Sequence, residues 1–450
     1  MSENAVCRHF LTLAAAVWLG AAFSSFAAAQ VLSGSDPVLL DSAATQPSPS
    51  AAAQQPTTAA SGGVIQMPNQ PPTPGVTGDW FGERTKLGND GLTVAAAIYY
   101  DYSENLQGGL STSGDASREL TDLDITYATE KYWHGGIFFV NFLNHEGTDA
   151  SHVLVGDAQG FDNQDGPSNT QLYQVYYQQL FADDKLRFKI GRIDSTTDFA
   201  YTANGSSFIG STFGFSPAIT SFPTYPDPAA GAVLFWTPNN HFYATGGIFL
   251  ANQADRFGII AGRPFTAQPT TNGEFLVTEL GEKWTLGSEQ LPGRLGIGGY
   301  HDTGDFTRFD GTTQSGASGM YGVFDQTLWQ VSPPAGSSAG PTGLGVFAQY
   351  GLADGHFATI DQHIGSGFAW TGPIPTPSRS ADVLGLGASY AHFSSRSGLA
   401  EDYELEIETF YKLQITPWFN IQPDLQYIIN PGGTGLSNAC VATIRVELDF

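Results

Sequence analysis

From residue 92 onward, apolar and polar side chains alternate in short runs. This is the two-residue period of a β-strand, not the 3.6 of a helix. The last run is the cleanest: Ala442, Ile444, Val446, Leu448 and Phe450 fall on one face, Thr443, Arg445, Glu447 and Asp449 on the other. Such runs predict strands near 92–104, 118–133, 136–146, 170–181, 185–194, 229–237, 241–252, 273–285, 293–303, 320–330, 343–352, 358–371, 381–393, 402–416, 419–430 and 439–450. That is sixteen. The connections sort by length. One set is tight, as at His134-Gly135-Gly136, Ala182 to Lys185, Pro238-Asn239-Asn240 and Thr416-Pro417-Trp418. The other set, 147–169, 195–228, 253–272 and 304–319, is long and polar. An even strand number with short turns opposite long loops predicts an all-β chain: a sixteen-stranded antiparallel transmembrane β-barrel of a bacterial outer membrane. A soluble propeller has no reason to sort its loops this way.

Aromatic residues repeat with the same period. Trp133, Phe181, Trp236, Trp284, Trp329, Trp370 and Trp418 stand at strand ends, spaced 48, 55, 48, 45, 41 and 48 residues apart. Every second strand of a barrel ends at the same membrane–water interface, where Trp is favoured.

Before residue 92 the chain reads differently. Residues 1–29 resemble a secretory leader: Arg8-His9, the apolar stretch Leu11 to Ala22, and Ala27-Ala28-Ala29 as a cleavage site. No later run approaches the ~18 apolar residues of a spanning helix, so any membrane crossing is by strands. Residues 30–76, rich in Pro, Ala, Ser and Gln, cannot bury enough apolar area to offset ordering, and read as a disordered periplasmic segment. In 77–91, Asp79 caps a short periplasmic helix through Trp80, Phe81, Arg84 and Leu87, closed by Gly88 to Gly91; residues 92–450 form the barrel.

The net charge of −25 argues against nucleic acid as a partner. Cys7 leaves with the leader and Cys440 stands alone, so no internal disulfide is expected. No metal site, cofactor or catalytic residue is predicted. Asp162-Asn163-Gln164-Asp165-Gly166 departs from calcium-loop spacing and reads as a turn, while Gly343-Leu344-Gly345-Val346-Phe347-Ala348 continues as a strand and is no dinucleotide loop.

The polar faces predict a water-filled interior. Glu404, Glu406 and Glu408 share one face of 402–416, which would be intolerable against lipid. Asp424 lies on the inward face of 419–430. Lys185, Arg187 and Lys189 give 185–194 the opposite charge. These strands lie nearly across a sixteen-strand ring, so an acidic wall facing a basic wall is expected to set up a transverse field; the alternative is that the charges satisfy one another. The connection 195–228, with Phe199, Tyr201 and Phe208 among seven aromatics, is the expected inward-folded constriction. Arg192, Asp194 and Asp198 at its root are the candidate solute contacts.

Several stretches resemble the carbohydrate-selective porin (OprB) family across roughly 77–450. They are Gly78-Asp79-Trp80-Phe81-Gly82-Glu83-Arg84, Val155 to Gly160, Gly191-Arg192-Ile193-Asp194 with Asp198-Phe199-Ala200, and Thr224-Tyr225-Pro226. The most specific is Pro417-Trp418 running into Gln422-Pro423-Asp424-Leu425-Gln426-Tyr427-Ile428-Ile429-Asn430-Pro431-Gly432-Gly433. The resemblance implies a sixteen-stranded outer-membrane channel for passive diffusion of small sugars, narrowed by loops. Its expected partners are sugar solutes, outer-membrane lipid, the assembly machinery that reads a terminal strand ending in Phe450, and further copies of the chain as a homo-oligomer. Three alternatives stay open: a general cation-preferring porin, a barrel enzyme, and a soluble propeller that binds glycans. The enzyme lacks a Ser/His pair and the propeller lacks Trp-Asp repeats.

Overall fold

The computed structural model describes residues 75–166, 168–250, 259–261, 273–333 and 340–450. Sixteen strands form the wall: β1 (Leu92–Gln107), β2 (Ala116–Ala128), β3 (Gly136–Gly147), β4 (Asn169–Phe181), β5 (Leu186–Ile193), β6 (Ala229–Trp236), β7 (Phe242–Leu250), β8 (Glu274–Leu286), β9 (Leu291–Thr307), β10 (Thr313–Val331), β11 (Thr342–Leu352), β12 (Ile360–Thr371), β13 (Val383–Phe393), β14 (Tyr403–Thr416), β15 (Phe419–Ile429) and β16 (Ala439–Asp449). Each pairs antiparallel with its sequence neighbours. β1 also pairs with β16 through registers such as Asp101↔Arg445, so the sheet closes into a barrel without an edge. A three-residue strand, Ile259–Ala261, pairs with β4 outside this ring.

All sixteen expected strands are present. The expected long loop at 304–319 is not: β9 and β10 run on to a turn at Arg308–Thr312. The outward positions there are polar and exposed (Thr303, Asp305 and Thr307) while Phe306 packs inward on Phe357, so the apolar outer face that marks a strand in lipid is absent while the backbone ladder persists. The turn before β3 is longer than read, because β2 stops at Ala128 and Trp133 lies in the turn.

The burial pattern is inside-out. Along β14, Glu404, Glu406 and Glu408 are 0, 1 and 0% exposed. Outward apolar side chains such as Ile297 (62%), Leu280 (57%) and Ile444 (49%) are open. In water this would forfeit ~1.5–3 kcal/mol per large side chain; against acyl chains it costs nothing. The tight turns share one rim with the tryptophans. Trp133 Nε1 donates to Gln179 Oε1 (3.1 Å), Trp284 Nε1 to Gln326 Oε1 (2.7 Å), and Trp329 meets Trp370 edge-on at 6.3 Å. This is the periplasmic aromatic girdle. Among the described residues no helix is long and apolar enough to cross a membrane.

At that rim lies the expected helix, α1 (Glu83–Asn89), with a 3₁₀ turn, Trp80–Gly82, ahead of it. Gly82 takes the N-cap position at φ 93°, a left-handed geometry that suits glycine, but Asp79 still accepts the Thr85 N–H at 2.8 Å. The buried Arg84 guanidinium donates to the carbonyls of Gly78, Val94 and Phe450, and so ties α1 to the seam between β1 and β16. The leader and nearly all of the Pro-rich segment lie outside the described residues, as does most of 253–272. Cys440 is buried, and the chain's other cysteine, Cys7, lies outside the described residues.

Candidate functional site: a lumen crossed by two loops

Two connections on the long-loop side fold into the barrel. The longer leaves β5 at Asp194 and returns at Ala229. Its root is held locally. Asp194 accepts Thr196 N–H (2.9 Å) and the Tyr173 hydroxyl, while Asp198 pairs with Arg187 (2.7 Å) and Lys189 (2.6 Å). Burial alone would raise the pKa of Asp198. Lys189 and Arg187 outweigh it and hold the carboxyl below the usual range, whereas Asp194, lacking such cations, is raised by burial.

From this root the loop crosses the lumen by successive hand-holds on the wall. Ala200 N–H donates to Glu279 on β8 (2.9 Å). Ala203 and Asn204 N–H donate to Asp325 on β10 (3.1 and 2.9 Å). Ile209 and Gly210 N–H donate to the two oxygens of Glu408 on β14 (2.7 and 2.9 Å). Gln422 on β15 donates to Ser207 O (2.9 Å). An irregular loop buried inside a barrel must place its backbone donors somewhere, and the wall's own carbonyls are committed to the ladder. Carboxylates, which only accept, meet the need with charge-assisted bonds. At the apex Gly210 is required by space: a Cβ there would sit 2.2 Å from Glu406 Oε1 and 2.8 Å from Glu408 Oε2.

The second inward loop joins β3 to β4. Ala158, Gln159 and, from the β15–β16 connection, Gly432 all donate backbone N–H to Glu404 (2.9, 3.0 and 2.6 Å). Asp162 pairs with Arg118 on β2 and, at 3.2 Å, with Arg445 on β16; Asp165 lies 2.9 Å from Arg118. Arg445 also makes a fork to Asp101 on β1 (2.8 and 2.6 Å). The Asp162–Gly166 stretch is thus an ionic anchor for the loop. The two loops meet in mid-lumen through Asn163 N–H to Ile209 O (2.8 Å) and Ser211 N–H to Gly160 O (2.9 Å).

The predicted site residues occupy unequal positions. Arg192, Asp194, Asp198, Phe199 and Phe208 are buried, and Tyr201 is half-buried. Phe208 stacks on Phe213 (4.5 Å between centroids) and meets Phe347 and Phe410 edge-on, so it packs the apex against β11 and β14. Arg187 and Lys189 share Asp198, whereas Lys185 is exposed in the periplasmic turn. Asp424 lies inward beside Glu408 and takes an N–H from Gln426 at 3.2 Å. Sequence reasoning missed Glu279, Asp325, Asp101, Arg118, Asp162, Arg294 and Arg445. Strand alternation placed several of them inward, but nothing local says which carboxylate will meet a loop.

The profile of the carbohydrate-selective porin, OprB family, matches residues 121–450. The chain belongs to this family. The match begins within β2, so the Gly78–Arg84 stretch lies before it. Porin B of Pseudomonas aeruginosa is 25% identical over 422 residues, 83% of this chain and 90% of that protein. Among solved structures, Pseudomonas putida OprB at high pH shares the fold with a TM-score of 0.72 at 21% identity, covering 85% of this chain and 99% of that one. The low-pH structure of the same protein gives 0.54 at 20% identity, covering 85% and 100%. The chain is an integral outer-membrane sugar porin of this family, and the membership implies a channel where an enzyme was the alternative.

Proposed function

We propose that the channel passes solutes of monosaccharide size one at a time through the gap left beside the two crossed loops, and that it prefers sugars over other small polar molecules. One observation carries this reading: the loop rooted at Asp194 reaches Glu408 on the opposite wall and is pinned there by two main-chain hydrogen bonds. A fixed, hydrogen-bonding bar across the lumen sets a size limit and surrounds the passage with donors and acceptors suited to hydroxyls. Tyr201, half-buried on that bar, offers ring area for the apolar face of a pyranose. Phe450, whose N–H bonds to Ala96 O at 2.8 Å as the barrel closes, is in this reading the group that assembly machinery recognises before closure.

The second reading, a general cation-preferring pore, rests on the excess of 43 acidic over 18 basic residues. Planar-bilayer recordings separate the two. Sugar at rising concentration blocks the ion current saturably in the selective channel. In the general pore, current falls only as solution conductivity falls.

A further inference from the structure

Periplasmic of the long loop, the inner wall of β5 to β9 carries a continuous arc of cations and rings. The Arg187 guanidinium lies over Phe235 (4.8 Å), Phe235 stacks on Tyr243 (5.4 Å between centroids, 11° between planes), Lys283 Nζ lies over Tyr243 (5.4 Å) and Arg294 over Tyr201 (3.9 Å). Its neighbours in sequence, Trp236 and Trp284, belong to the girdle, which sets the arc at the exit of the channel.

The charges do not pair off. Four cations (Arg187, Lys189, Lys283 and Arg294) and four carboxylates (Asp194, Asp198, Glu279 and Asp325) share this part of the wall, but they are not matched one to one. The carboxylates are committed. Asp198 is shared by two cations, Glu279 holds the Ala200 N–H and the Tyr243 hydroxyl, and Asp325 holds two loop N–H groups while standing 3.9 Å from Arg294. Lys283 is exposed to the vestibule and forms no ion pair among the described residues. It is the direct cross-strand partner of Arg294, and like charges placed so are destabilising. Arg294 is buried, 8% exposed, yet its Nε has no partner. A repelling cation pair braced by aromatic rings, with Lys283 open to the passage and Arg294 adding its charge from behind, fits a visiting anion.

We propose that the Arg187–Lys283–Arg294 arc is a landing site for carboxylate-bearing monosaccharides, so that the channel passes acidic sugars as well as neutral ones. The proposal rests on the sugar-channel reading. At the exit, the arc opposes the repulsion that the acidic chain exerts on anions and lowers the last barrier to the periplasm.

The test is current block in planar bilayers at 0.1 M salt, where screening is modest. Glucose and glucuronate are compared on wild type, Lys283→Gln and Lys283→Arg. Heat-modifiable gel mobility verifies that each variant is folded. The proposal expects glucuronate to block wild type more strongly than glucose does. It expects Lys283→Gln to weaken glucuronate block about three- to fivefold, as befits an exposed charge contact, with glucose block changing less than twofold and Lys283→Arg restoring the preference. Equal weakening for both sugars, or no change for either, overturns it. Glucose block without any glucuronate preference in wild type removes this inference and leaves the sugar channel standing. Absence of block by both sugars removes the two together.

Discussion

Glu408→Gln tests the pinned bar directly. In the native protein the two carboxylate oxygens take one N–H each, from Ile209 and Gly210, at 2.7 and 2.9 Å and out of contact with water. The amide keeps one acceptor and turns an NH₂ toward the other donor, leaving a buried N–H unmet. A charge-assisted bond of this kind contributes about 1.5–3 kcal/mol, and stranding its donor costs a similar amount. Taking ~2–3 kcal/mol as the loss, the equilibrium between apex pinned and apex free moves roughly 30- to 150-fold. Relief of repulsion between Glu408 and its acidic neighbours Glu406 and Asp424 offsets part of this. The remaining anchors at Glu279 and Asp325 keep the rest of the loop in place. The expected phenotype is therefore a folded barrel whose single-channel record shows added wide substates and whose sugar block weakens. A variant with wild-type conductance, noise and block refutes the claim that Glu408 holds the constriction.

Three further predictions follow from the same geometry. Gly210→Ala, which removes no charge, forces a methyl into the space of the Glu406 and Glu408 carboxylates; it is expected to cost ~1–3 kcal/mol as overpacking and to give the same wide substates, and a silent record would show that the apex has slack. Ile297→Arg, on the lipid face and 62% exposed, is expected to lower refolding stability in liposomes by up to about 2–4 kcal/mol if it sits near mid-bilayer, with stability unchanged if the face meets water instead. The β3–β4 loop is expected to respond to pH with two signs. Burial would raise Asp162, but Arg118 and Arg445 outweigh it and hold it low, so its tie is in place above the ordinary 3.8 and is lost as pH falls through the lowered value. Burial carries Asp165 up to about 7 despite Arg118, so its contribution is complete below 3.8 and lost as pH rises through about 7. Channel noise should then be least near pH 4, and Asp165→Asn should flatten the neutral limb; noise unaltered by this variant between pH 5 and 8 would contradict the assignment.

How much of this was legible in the sequence depends on what each segment touches. Within the bilayer, lipid imposes a strict rule on one face of every strand, so Leu405, Ile407, Ile444 and Val446 announce both strand and orientation. Where β9 and β10 leave the membrane, the outer face meets water in place of lipid and the rule lapses; residues 304–319 accordingly read as loop although most are strand. The constriction was legible as a segment, from its length and its rings, but not as a set of contacts. Phe199 and Phe208 look like solute platforms in sequence and are packing groups in space, because the loop must bury apolar area of its own to stay folded inside the barrel. Arg192, Asp194 and Asp198 lie at the root, where their partners come from β4 and β5 and from the loop itself.

The loop anchors also change what the acidic composition means. Most strand carbonyls in the wall serve the ladder, with exceptions such as Val346 O and Ser389 O, which take loop side chains, so the backbone N–H groups of a loop that folds inward turn mainly to side chains, and carboxylates are the side chains that accept without also donating. Glu279, Asp325, Glu404 and Glu408 face inward for that reason, each with its charge met by loop N–H groups. An acidic wall of this kind is a consequence of holding loops across a lumen, and its field on a passing solute is smaller than a count of glutamates implies. Lys283, which forms no ion pair among the described residues, lies outside this accommodation. An exposed charge facing the passage biases a solute more than buried ones behind the bar, so ion and sugar preference should follow position 283 more closely than the overall charge of −25.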